Sequence, residues 1–241
     1  MLSTIDCRGG ASSIAWELRK RLKADGHKVD MFVRYKYSNE ADVHVIPRKP
    51  YQDWLVKLFA NDLIFGGSIF HTKEYQEADI IHCHNLHSNF FNLKDLIRMS
   101  NEKKVVWTLH DMWAFTGFAY NSVTLLNPNP KRFLLYLWDR THTLLMKKKK
   151  IYEKCNLHIV AVSEWLKWQA ERSILKKFPI ERIYNGIDTE IFKPMDKAEC
   201  RKEFGIPSDK YVVGFGIKGW QDSQKFVDSS KETCFVAIGH D

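Results

Sequence analysis

Residues 1–33 read MLSTIDCRGGASSIAWELRKRLKADGHKVDMFV. The apolar run Leu2 to Ile5 closes on Asp6-Cys7-Arg8-Gly9-Gly10, and helical periodicity begins at Ala11. Ile14, Ala15, Leu18 and Leu22 share one face, with Arg19, Lys20 and Lys23 on the other. Asp25-Gly26-His27 stops the helix, Gly26 suiting the left-handed position just past a helix end. Lys28 to Val33 reads as a second strand and Val43 to Ile46 as a third, closed by Pro47. Strand, glycine turn, helix, strand is the opening of a parallel α/β sheet.

The pattern recurs downstream. Ala78 to Cys83 reads as a buried strand ending in His84-Asn85-Leu86-His87, followed by a helix over Asn92 to Ser100. Lys104 to Leu109 is a strand ending in His110-Asp111, and Leu157 to Val162 is another. Ser163 can cap a helix over Glu164 to Leu175, and Glu181 to Tyr184 is a last short strand before Asn185-Gly186-Ile187-Asp188. Polar residues gather after strand ends, the edge at which open α/β sheets bind ligands. Pro194 marks a boundary. Residues 1–194 form one domain, and 195–241 open a second, incomplete α/β domain: a helix over Lys197 to Phe204, strands over Tyr211 to Phe215 and near Cys234 to Ile238, and a helix near Ser223 to Glu232. The fold class is α/β, a parallel sheet flanked by helices.

Composition narrows the function. The 241 residues are 44% hydrophobic and 27% charged, which excludes disordered and fibrous classes. A formal charge of +8 favours anionic partners. Five cysteines, none in C-x-x-C spacing, argue against a disulfide framework or zinc ribbon and for a reducing cytosol. No apolar run is long enough to span a bilayer, and no secretory leader precedes the first strand, which begins so close to Met1 that the start reads as trimmed. No nucleic-acid module is present, so nucleic acid is not an expected partner.

Several motifs carry two readings. Gly9-Gly10 is either a tight turn or a place where amides and a helix N-terminus face an anion; G-x-G-x-x-G is absent. His82, His84 and His87 lack metal-ligand spacing and read as a polar rim or substrate contacts, not a metal site. His110 stands at a strand end, where an imidazole can donate to a substrate hydroxyl or phosphate oxygen. Trp113, Phe115 and Tyr120 either stack on a sugar ring or plug their loop onto the domain. Residues 131–154 carry a net charge of +6 with apolar residues at helical spacing. They form either a surface helix with its lysines in water or a basic amphipathic helix touching anionic lipid.

Together the motifs resemble a known family. They run in order Gly9-Gly10-Ala11-Ser12, Gly26-His27-Lys28-Val29, Ile81-His82-Cys83-His84-Asn85, Trp107-Thr108-Leu109-His110-Asp111-Met112-Trp113 and Phe115-Thr116-Gly117. Val162-Ser163-Glu164-Trp165-Leu166 and Asn185-Gly186-Ile187-Asp188 with Phe192-Lys193-Pro194 complete the series. The series is similar to the N-terminal half of GT-B glycosyltransferases of family 4, retaining enzymes of bacterial exopolysaccharide, capsule and O-antigen assembly. The resemblance implies a Rossmann-like acceptor domain facing a second, nucleotide-sugar-binding domain. It implies transfer of a hexose from a nucleotide-diphosphate sugar to a polysaccharide or lipid-linked acceptor, with no metal or cofactor, in the cytoplasm or peripherally at the inner membrane face. By motif, His110 and Asp111 would stand at the reacting centre, and Gly9, Gly10 and Lys225 near the diphosphate. His84, Asn85, Trp113 and Thr116 would contact substrate.

The departures shape a second expectation. No two Glu residues are separated by seven intervening positions, so the donor domain's E-x7-E pair is missing, and Phe226 stands where the family has Gly after the lysine. On this reading the chain is truncated and transfers little on its own. The alternative is a non-catalytic remnant that binds a glycan, lipid or partner protein.

Overall fold

The computed structural model describes residues 1–46, 67–87, 91–117, 141–216 and 233–238. The chain divides into two compact units, Met1–Gly186 and Ile187–Asp241, a division eight residues before Pro194.

In the first unit, strands β1 (Leu2–Ile5), β2 (Met31–Tyr35), β3 (Val43–Val45), β4 (Ile80–Cys83), β5 (Lys104–Leu109), β6 (His158–Ala161) and β7 (Ile180–Arg182) form one sheet in the order β3-β2-β1-β4-β5-β6-β7. Every pairing is parallel. Helices α1 (Gly10–Ala24), α2 (Lys73–Glu77), α3 (Asp95–Glu102), α4 (Thr141–Tyr152) and α5 (Glu164–Glu171) connect the strands. This is a Rossmann-like sheet, as the sequence leads one to expect. Its two faces have separate cores. Met31 and Val33 of β2 pack with Ala15 of α1, while Phe32 between them joins the larger cluster on the other face, with Leu2, Trp107, Leu109 and Ile159.

Local chemistry sets the element ends. Past α1, Gly26 takes φ 91°; its amide donates to the Lys23 carbonyl and the His27 amide to the Leu22 carbonyl, closing a Schellman motif. Ser163 caps α5, its hydroxyl accepting from the Leu166 amide at 3.2 Å. The first helix departs from expectation at one position. Arg19, assigned to the polar face, is buried, because its guanidinium pairs with Glu40 and Asp42 and lies over the Trp16 ring. The short return from β2 to β3 is braced too: Asp6 accepts from the amides of Tyr37 and Ser38, and Lys36 donates to the carbonyls of Glu40 and Val43.

Helix α2 was not anticipated from the sequence. Its cap is Thr72, which accepts from the Tyr75 amide. Of the 131–154 segment, α4 is described. Lys147, Lys149 and Lys150 are exposed, but Lys148, expected in water with them, is buried. Cys7, Cys83, Cys155 and Cys200 are free thiols. No helix among the described residues is long and apolar enough to cross a membrane.

In the second unit, Asp196 caps α6 (Lys197–Glu203), accepting from the amides of Ala198 and Glu199. Strands β8 (Tyr211–Gly216) and β9 (Thr233–Ile238) pair in parallel. Lys225 and the helix expected near Ser223 to Glu232 lie outside the described residues.

Candidate functional site

Parallel pairing brings the carboxyl ends of β1, β4 and β5 to one edge. The β4–β5 register sets Cys83 opposite Trp107, so His84 and His110 follow their strands at neighbouring positions. Strand alternation puts His82 and His84 on one side of β4, with Thr108 and His110 on the same side of β5. The side chains then repeat one diagonal step. His82 Nε2 meets Thr108 Oγ1 at 2.8 Å, and His84 Nδ1 meets His110 Nε2 at 3.1 Å. The His82 and His84 rings lie 4.3 Å apart, and those of His84 and His110 stack at 5.4 Å and 23°.

Burial keeps this row neutral. It pushes His82 and His110 each down to about 4 and His84 to about 2. Beside the row lies a second pair, with His87 Nε2 3.8 Å from Asp111 Oδ2. Burial holds the His87 pKa below its ordinary value although Asp111 pulls it up. Burial likewise raises Asp111, despite the Trp113 amide donating to its Oδ1 at 2.8 Å. Asp111 is therefore a carboxyl held above its ordinary range by burial, beside imidazoles that stay unprotonated at neutral pH.

A cleft opens here, lined by His84, Asn85, His87, His110, Asp111 and Trp113 among others. Its floor is fixed by interior side chains that hold rim carbonyls. Thr4 Oγ1 is within 3.1 Å of the Asn85 carbonyl and 3.0 Å of that of His87; Trp107 Nε1 donates to the His84 carbonyl at 2.8 Å. Lys148 donates to the carbonyls of Trp113 and Thr116, and the Tyr152 hydroxyl to that of Ala114. Trp113, Phe115 and Thr116 are consequently buried in the domain, with Trp113 also facing the cleft. Tyr120 lies outside the described residues.

Gly9 and Gly10 stand at the same sheet edge, at the end of β1, but do not line this cleft. Gly9 has φ 82° and ψ 156°, a region open essentially to glycine alone. A Cβ on either glycine meets nothing within 4 Å. Among the described residues no side chain caps α1, and its first turn holds no acidic residue. Sequence reasoning put His110 and Asp111 at the reacting centre and His84 among the substrate contacts, and the structure brings all three to one cleft. Sequence reasoning read Lys148 only as part of a basic run and did not single out Thr4. It also missed a small Asp30, His44 and Glu74 cluster, where His44 Nε2 sits 2.9 Å from Asp30 Oδ1.

An open parallel sheet of this kind binds ligands at the carboxyl ends of its strands, and the fold alone does not name the chemistry. Residues 8–191 match the profile of Glycosyltransferase Family 4, and the chain belongs to that family. It is similar to the Escherichia coli (strain K12) protein named "Putative colanic acid biosynthesis glycosyl transferase WcaC". The two are 28% identical over 180 residues, covering 61% of this chain and 43% of the relative. The chain thus spans less than half the length of the curated relative it matches. The glycosyltransferase family to which the sequence motifs point is the family found.

Proposed function

We propose that this protein transfers a hexose from a nucleotide-diphosphate sugar to a polysaccharide or lipid-linked glycan acceptor, with retention of configuration and without a metal. The observation that carries the reading is the His84–His110 pair with Asp111 in the cleft of a family 4 domain. The relative named for colanic acid biosynthesis supports a polysaccharide as acceptor.

His110 donates a hydrogen bond to an oxygen of the donor sugar as the glycosidic bond to the diphosphate breaks. The uncapped amides of α1, reached across Gly9 and Gly10, receive the negative charge that develops on the leaving diphosphate. Lys225 adds a cation to the same diphosphate. Asn85 and Trp113 shape the acceptor side, Thr116 supports the loop beneath them, and Asp111 takes the acceptor hydroxyl proton. The reaction takes place in the cytoplasm and draws its nucleotide sugar from a nucleotide-binding second domain of GT-B type. The exposed Lys147, Lys149 and Lys150 favour peripheral contact with anionic lipid at the inner membrane face.

The test is a transfer assay with a panel of radiolabelled nucleotide sugars and lipid-linked acceptors. Label should move into acceptor, and His110→Ala should slow transfer about 10²-fold, the cost of losing one preorganised donor. Binding of no nucleotide sugar, with no effect of His110→Ala, would overturn the reading.

A further inference from the structure

We infer that His84 is a positioning residue that sets the proton of His110. Its Nδ1–H donates to His110 Nε2, so that His110 carries its own proton on Nδ1 as the donor left for a ligand. The 3.1 Å contact between two neutral imidazoles needs one donor and one acceptor, which leaves two arrangements. If His110 Nε2–H were the donor, the single ring proton of His84 would sit on Nε2. That nitrogen is enclosed and has no partner among the described residues. Orphaned buried N–H groups are rarer in native proteins than under-satisfied buried acceptors. The arrangement that avoids the orphan donor puts the His84 proton on Nδ1, and the hydrogen bond then forces the His110 proton onto Nδ1.

The rest of the row holds His84 in place for this task. Its amide donates to the Leu2 carbonyl at 2.9 Å, and its carbonyl accepts from Trp107 Nε1. Its ring lies between those of His82 and His110, and His82 is itself bonded to Thr108. Burial keeps both partners unprotonated at neutral pH, so the direction of the bond does not reverse through a charged form. His110 is only partly buried, and its Nδ1 has no partner among the described residues. A ligand oxygen therefore meets a donor of fixed identity, while the lone pair of His110 is occupied from behind. Such an imidazole gives a hydrogen bond and takes no proton. The ligand-facing part of this inference rests on the glycosyl-transfer reading; the tautomer does not.

The experiment is two-bond ¹H–¹⁵N correlation NMR on the full chain labelled with ¹⁵N-histidine at pH 7, with His110 assigned from its absence in His110→Ala. The expected pattern is protonated Nδ1 and bare Nε2 for both His84 and His110. A protonated Nε2 on His110 overturns the inference. His84→Asn keeps a donor near the Nδ1 position and should preserve the His110 pattern, whereas His84→Leu should release it to a mixture of tautomers. An unchanged His110 pattern in His84→Leu also overturns the inference. If the pattern is as expected but no nucleotide sugar is turned over, the tautomer stands and the glycosyl-transfer reading fails. If transfer occurs with His110 protonated on Nε2, the reverse holds.

Discussion

The ammonium of Lys148 lies 3.7 Å from the centre of the Trp113 ring and donates to the carbonyl oxygen of the same residue at 2.5 Å. A second bond, at 2.9 Å, reaches the Thr116 carbonyl. A buried lysine thus works as a strut beneath the loop that carries Asp111. Lys148→Met keeps the aliphatic length but leaves both carbonyls without this donor. It should lower stability by about 1–3 kcal/mol, read from the urea midpoint. Lys149→Met, on the exposed face of the same helix, should change stability by less than about 0.5 kcal/mol.

Arg19 offers a contrasting case. It is buried, but its partners Glu40 and Asp42 reach solvent, and Asp42 keeps Lys23 at 2.7 Å when Arg19 is gone. Arg19→Met should therefore cost less than the ~3–5 kcal/mol of a fully buried broken pair. Glu40→Gln should cost under about 1 kcal/mol, as expected at a half-exposed partner. Thermal unfolding of both variants beside the wild type checks the order.

The imidazole row predicts an acid weakness. In the unfolded chain His82, His84 and His110 take up protons near 6.5, whereas in the fold His82 and His110 hold off until about 4 and His84 until about 2. Between these values the unfolded state binds more protons, so stability falls as pH drops below about 6.5 and continues to fall toward 4. Asp6 adds to the loss at lower pH. Burial raises its pKa, but the Ser38 and Tyr37 amides and the Ser38 hydroxyl outweigh that, so its folded value lies below its ordinary 3.8. Urea midpoints at pH 7, 6, 5 and 4.5 should decline steadily. His82→Phe should flatten part of the slope, and a flat profile in the wild type would contradict the buried neutral row.

The two glycines separate backbone strain from ligand access. Gly9→Ala forces a Cβ into φ 82° and should cost about 1–3 kcal/mol. Gly10 begins α1, where alanine is the better helix former, so Gly10→Ala should leave stability unchanged or raise it by up to about 1 kcal/mol. Its added methyl stands over the turn, so, on the glycosyl-transfer proposal, nucleotide-sugar affinity should fall while stability does not. Calorimetric titration beside thermal unfolding reads both quantities.

The alternating architecture was legible because it rests on local signals. Val105 to Leu109 is an apolar run with a polar end, and Gly26 and Ser163 sit where helix termini need them. Strand starts were less legible. Lys28 looked like the start of a strand, yet β2 begins at Met31, because Leu2 of β1 pairs with Phe32 and the preceding residues have no strand beside them. Helix α2 is five residues long, too short for periodicity to show. The burial of Arg19 and Lys148 was hidden for another reason. A cation goes inside only when distant groups receive it, and Asp42 and Thr116 are 23 and 32 residues away from them. His84 reads as a polar-rim or substrate contact and His110 as a donor at a strand end, but their bond depends on the β4–β5 register, which no local pattern records.

The interior side chains that grip the rim carbonyls have an evolutionary consequence. Thr4, Trp107, Lys148 and Tyr152 specify where the rim backbone runs, while Asn85, His87 and Asp111 specify what it offers to a ligand. The scaffold and its vocabulary are thus written by different residues. A lineage can exchange one ligand for another by changing the outward letters while the inward ones hold the page still. A mutational library confined to the outward set should yield altered preferences among folded proteins, and one aimed at the inward set should yield mostly unfolded chains.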